Sequence, residues 1–151
     1  MKSTLKNIIM LAAVAGLLFA TSCKKDEDEP AATTSDTQKL VNGSPWIVSG
    51  FEATSGGQTT DWYAAWNDCD KDDESTYTTT MVTVTEGATN CYGDPYDTLG
   101  VAAWSFPAAG MIQLDGDTFN IVELSATTLK ISETVDNGGT SVVYVETFTA
   151  Q

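Results

Sequence analysis

From residue 98 to the C-terminus, apolar and polar residues alternate in short runs punctuated by turn formers. The runs are 98–106, 111–114, 117–124, 127–134 and 141–149, and each has the two-residue period and β-branched or aromatic content of a strand. Between them lie Pro107-Ala108-Ala109-Gly110, Asp115-Gly116, Ser125-Ala126 and Asp136-Asn137-Gly138-Gly139. These gaps are too short for crossovers, so consecutive strands must pair antiparallel. Upstream, 45–52 reads as another strand, and 76–85 as either one long strand or a hairpin bent near Thr79. The Ser/Gly/Thr-rich segment 54–60 reads as loop, and 86–97 as loop with Gly87, Gly93 and an Asp94-Pro95 turn signal. Two helical segments are predicted. Residues 36–42 fit one turn capped by Ser35 or Asp36 and ended by Gly43, and 61–68 fits a short helix capped by Asp61, with Trp62 and Trp66 on one face.

Seven or eight strands spaced by about 8–12 residues mark a sandwich or an up-and-down barrel, and the lack of long crossovers favours the barrel. The predicted fold is therefore all-β: an antiparallel up-and-down meander barrel of about eight strands, with a short helical segment near the mouth. Alternation pairs Trp104 with Phe106, Ile112 with Leu114, Phe119 with Ile121, and Leu129 with Ile131 on common faces. The last strand is apolar on both sides, with Val142, Tyr144 and Phe148 on one and Val143 and Val145 on the other. That predicts either burial on both faces or an interior that is a lined cavity.

Charge and residue usage narrow the chemistry. The net charge is −14 over 151 residues, with no His, and there is no Arg either. Such a chain does not suit nucleic acid, whose binding depends on Lys and Arg neutralising phosphates. Histidine-based triads and dyads, arginine clamps and histidine metal ligands are all excluded. We therefore expect a non-enzymatic protein.

The N-terminus reads as an address. Lys2 and Lys6 precede an apolar run, 8–20, which is shorter than the ~20 residues needed to span a bilayer. Ala20-Thr21-Ser22-Cys23 resembles a bacterial lipobox, in which Cys23 is lipidated and becomes the first residue of the mature chain. The expected organisation is a signal peptide over 1–22, the lipidated cysteine and a disordered acidic tether over 23–35, and the barrel over 36–151. Losing the signal removes Lys2 and Lys6 but no acid, so the mature chain is more acidic still. Lys24-Lys25-Asp26-Glu27-Asp28-Glu29 resembles the surface-export signal of lipoproteins in the Bacteroidetes. The expected location is thus the outer membrane, facing the cell exterior, with a periplasm-facing lipoprotein as the alternative.

The barrel region carries a resemblance of its own. Gly43-Ser44-Pro45-Trp46, Cys69-Asp70-Lys71-Asp72-Asp73, Glu86-Gly87-Ala88-Thr89-Asn90-Cys91, Trp104-Ser105-Phe106 and the run from Ile121 to Lys130, in that order, resemble the lipocalin-like lipoprotein domains of Bacteroidetes. The resemblance implies an eight-stranded antiparallel barrel with a short helical turn at its entrance and a small ligand in its mouth. Lipocalins proper open on Gly-x-Trp, whereas here an extra residue and Pro45 intervene. Closed and partly open barrels are both compatible with that departure.

The candidate chemistry is concentrated between residues 61 and 91. With Cys23 lipidated, Cys69 and Cys91 remain, and in an exported chain they are expected to form a disulfide. A redox role is not expected, because there is no CxxC motif. Asp68, Asp70 and Asp72 have the alternate spacing of a Ca²⁺ loop, although Asp73 and Thr79 stand where an EF-hand has Gly and Glu. Asn67 and Glu74 are the residues able to complete an irregular site, and the alternative is a solvated acidic loop. Trp62, Tyr63 and Trp66, with Trp104 and Tyr144, are candidates for ligand contact, or else for plugging the barrel. Glu52, Glu123 and Glu146 lie on partly apolar strands, where two facing carboxylates would suit acid/base work. Asp97-Thr98-Leu99 resembles an O-glycosylation triplet of the same bacteria. Together these features point to a monomeric, membrane-anchored protein that binds a small apolar or amphipathic molecule without chemistry and needs no cofactor beyond Ca²⁺ in the acidic loop. The competing expectation is a structural or interaction module of the cell surface with a packed barrel.

Overall fold

The structure, a computed structural model, describes residues 35–91 and 98–151. The signal segment, Cys23, the tether and the features at Gly93, Asp94-Pro95 and Asp97 lie outside the described residues. Helix α1 (Asp36–Asn42) starts at a capping box: Gln38 N–H donates to Ser35 Oγ, and Ser35 N–H donates to Gln38 Oε1. There follow β1 (Trp46–Ser55), β2 (Gln58–Asp61), a 3-10 turn (Tyr63–Ala65), α2 (Asp68–Lys71), β3 (Glu74–Tyr77) and β4 (Met81–Thr85). The remaining strands are β5 (Thr98–Ser105), β6 (Met111–Leu114), β7 (Asp117–Leu124), β8 (Thr128–Asn137) and β9 (Thr140–Ala150).

Strands β3 to β9 form an antiparallel meander, β9 pairs along the length of β1, and the start of β1 pairs with β3. The circuit is a closed antiparallel barrel of eight strands, with β2 outside it. Closure is uneven. Strands β8, β9 and β1 share long registers, whereas β1 meets β3 only at Trp46↔Ser75 and Ile47↔Glu74. Likewise β5 meets β6 only at Trp104↔Leu114 and Ser105↔Gln113.

Two segments differ from the sequence reading, and a third takes one of its two alternatives. Residues 54–60 are not a loop: β1 runs on to Ser55 and turns through Gly56 and Gly57, with φ of 58° and 79°, into β2. Consecutive positive φ values favour Gly–Gly and match the twist of a hairpin. Residues 61–68 are not one helix. Asp61 pairs with Glu52 in the hairpin, and its carboxylate caps only the 3-10 turn, accepting from Ala64 N–H at 3.1 Å. Trp66 is then extended, and α2 forms beyond it. Residues 76–85 resolve as a hairpin of β3 and β4, tied by Thr78 N–H donating to the Met81 carbonyl at 2.8 Å.

Helix α1 closes one end. It packs against β3 and β7, which are opposite each other in the circuit, and buries Leu40 among Trp46, Ile112 and Leu129. The helical turn therefore lies at the closed end, while the lid segment between β2 and β3 lies towards the other.

Candidate functional site

The mouth is shaped by a break along one edge of β1. Strand β2 ends at Asp61, opposite Glu52, and β3 starts at Glu74, opposite Ile47. Residues 62–73 bridge that stretch. Trp62 N–H donates to the Phe51 carbonyl and Tyr63 Oη to the Val48 carbonyl, each at 2.9 Å. These bonds satisfy β1 edge carbonyls and lay Trp66 over the interior, with its ring centroid 5.6 Å from Phe51.

A disulfide holds the lid. Cys69 and Cys91 are bonded with a Cα–Cα separation of 5.3 Å, which is ordinary for a disulfide. It ties α2 to the loop after β4, where Thr89 N–H donates to Asp72 Oδ2 at 2.9 Å. Gly87 backs onto the Asp72 backbone so closely that a Cβ there would strike its carbonyl. Closing 22 residues removes unfolded-state entropy, so Cys69→Ser with Cys91→Ser is expected to lower stability by about 3 kcal/mol. Urea midpoints of the variant and of the oxidised wild type measure this, and equal midpoints would show that the bond pins nothing.

Beneath the lid is a cavity of about 340 Å³, within the range of small-molecule sites. Its walls are inward-facing residues of the barrel, including Val48, Val82, Ala102, Leu114 and Phe148, and Trp66, Asp70 and Asp73 of the lid border it. Glu146 lines it too, and also a pocket of about 20 Å³ shared with Phe51, Glu133 and Tyr144. Burial pushes the Glu146 carboxyl up to about 7, and Glu133 adds to the effect. The Tyr77 hydroxyl is held above its ordinary value by burial and by Glu146.

The predicted site residues divide. Trp66 lines the main cavity and Tyr144 the smaller pocket. Trp62 is 45% exposed and rests edge-on against Phe51 and Tyr144 as an outer layer. Tyr63 ties the lid to β1. Trp104 is core: its Nε1 donates to the Thr78 carbonyl at 3.0 Å, and its ring meets Tyr77 and Phe106 at the closed end. Of the glutamates, Glu52 and Glu123 are exposed, and the one beside Glu146 at the small pocket is Glu133, itself exposed at the barrel rim. Glu133 was not evident from the sequence, because polar residues surround it. Glu146 had a signal, as the acid between Tyr144 and Phe148 on the inward face.

The aspartates of the proposed calcium spacing do not gather. Asp68 Oδ1 accepts from Lys71 at 3.4 Å with its side chain fully exposed, and Asp70 Oδ2 accepts from Asn67 at 2.8 Å. Among the described residues, the group of potential metal ligands within 4.8 Å is Cys69, Asp70 and Cys91, whose sulfurs are already joined. Asp72 Oδ1, Asp73 Oδ1 and Glu86 Oε1 are buried with no hydrogen-bond partner among the described residues. Burial, with Glu86, Asp72 and Asp70 nearby, raises the Asp73 pKa despite a hydrogen bond from Gly87 N–H. No helix among the described residues is long and apolar enough to cross a membrane. No protein-family model, curated protein or solved structure matches the chain.

Proposed function

We propose that this protein is a lipid-anchored lipoprotein of the outer membrane, of the lipocalin-like kind, that sequesters a small amphipathic molecule without transforming it. The observation that carries this reading is the roughly 340 Å³ cavity between barrel and lid. A barrel serving only as a scaffold would be expected to fill that space with side chains. Export and anchoring rest on the sequence up to Cys23, and the acidic residues that follow favour the cell surface. Binding requires only desolvation of an apolar body and placement of a polar head, for which the apolar walls and the carboxyls suffice.

A second reading is favoured by the partnerless buried oxygens of Asp72, Asp73 and Glu86. In that reading the barrel is an interaction module of the cell surface, with Ca²⁺ in the acidic loop. One set of measurements separates the two. The ligand reading expects a co-purifying small molecule in native mass spectra and a rise in melting temperature with hydrophobic ligands. Empty spectra and an unmoved melting temperature would overturn it, while a rise on adding Ca²⁺ after chelation would support the second reading.

A further inference from the structure

Polarity within the cavity discriminates among amphiphiles. We propose that the barrel binds an amphiphile with a positively charged ammonium head, the head against Glu146 and the apolar body along the walls of β4, β5 and β9. This deepens the ligand-binding reading and rests on it.

The geometry of the acids is the starting point. Glu146 projects into the interior from the strand that also supplies Phe148, so its carboxyl borders the main cavity rather than the outer surface. The titratable groups that act on it are Glu133 from β8 and Tyr77 from β3, while Asp70 and Asp73 of the lid border the same cavity. All of these are acids. The described residues contain three lysines, and each is engaged elsewhere or faces outward. Lys39 pairs with Asp36 at 2.8 Å on α1, and Lys71 pairs with Asp68 while lying 5.4 Å from the Tyr63 ring centroid. Lys130 sits in register with exposed Glu123 and alternates with inward-facing Leu129 and Ile131.

An anionic head, such as a fatty-acid carboxylate, would therefore meet the Glu146 carboxylate with no lysine of the described residues beside it, where partial burial strengthens the repulsion. A neutral head would leave Glu146 without an ionic partner. An ammonium head supplies that partner, and Trp66 lines the same cavity as Glu146, adding an aromatic wall. The same contact makes binding depend on pH. Glu146 is largely protonated below about 7, and a permanent cation favours its carboxylate, so affinity for that cation should strengthen as pH rises through 7.

Calorimetric titration of the full chain tests this, using Cys23→Ser so that no attached lipid competes for the cavity. The probes are octyltrimethylammonium, 1-octanol and octanoate. The expected result is that the ammonium binds at least about tenfold more tightly than octanol at pH ~8, and octanoate most weakly. Its affinity should rise several-fold between pH ~6 and ~8, and Glu146→Gln should abolish its advantage while octanol binding persists. Octanol or octanoate binding as tightly as the ammonium, or an undiminished advantage in Glu146→Gln, overturns the ammonium preference and leaves the ligand-binding reading intact. No binding by any probe overturns both.

Discussion

Trp46→Ala is expected to lower stability by about 3–5 kcal/mol, the range for removing a buried aromatic, which is a large share of the ~5–15 kcal/mol typical of a domain. Trp46 is fully buried, and as the first residue of β1 it pairs with Ser75 on one side and Ala150 on the other. It therefore sits where the barrel closes, at the seam that has only two residue pairs. Its Nε1 donates to the Leu40 carbonyl at 2.8 Å, fastening α1 over the barrel end. Gly43 lies so close to the Trp46 ring that a Cβ there would overlap it. Trp46→Phe separates the contributions. The Leu40 carbonyl keeps a bond from Ser44 Oγ at 3.3 Å, so losing the indole bond should cost only about 1 kcal/mol beyond the smaller ring volume. Urea denaturation gives both values. A loss below ~1 kcal/mol for the alanine variant would mean that closure does not depend on this seam.

The meander was legible because its strands from β5 onward carry both signals at once: side-chain alternation and short turns that leave no room for crossovers. Closure was not. It depends on Trp46 meeting Ser75 and Ala150, pairings between residues far apart in sequence that no local pattern encodes. The β1–β2 hairpin escaped notice for a different reason. Gln58 to Asp61 are all exposed, so no apolar alternation marked the strand, and only Gly56-Gly57 carried the turn signal. At 61–68 helical spacing misled, because Trp62 and Trp66 belong to successive short pieces whose backbone bonds are partly made with β1. The disulfide was readable from the cysteine count. The calcium spacing was not a guide to contact, since side-chain direction placed Asp68 in solvent. Within the candidate site, Trp66 and Glu146 could be nominated by residue type, but the cavity joining them depends on where the lid lies.

Glu146→Gln is expected to stabilise the protein at alkaline pH and leave it unchanged in acid. In the folded state burial raises the Glu146 pKa from 4.5 to about 7, so between those values the native protein holds a proton that the unfolded chain has released. Native stability must then fall as pH rises through that window: the favourable state is fully present below about 4.5 and lost above about 7. A shift of this size corresponds to about 2–3 kcal/mol once partial solvent access is allowed for. Glutamine has nearly the same shape and no charge to desolvate, so the variant should exceed wild type by that amount at pH ~8 and match it at pH ~4. Asp73, also raised by burial and neighbouring acids, tilts both curves in the same sense, and the difference between them isolates Glu146. Urea midpoints across the pH range provide the measurement. Parallel curves would show that water reaches Glu146 freely and would remove the electrostatic basis for a charged partner there. Diverging curves would identify a carboxyl kept in the cavity at the expense of stability, as expected of a group held for binding rather than folding.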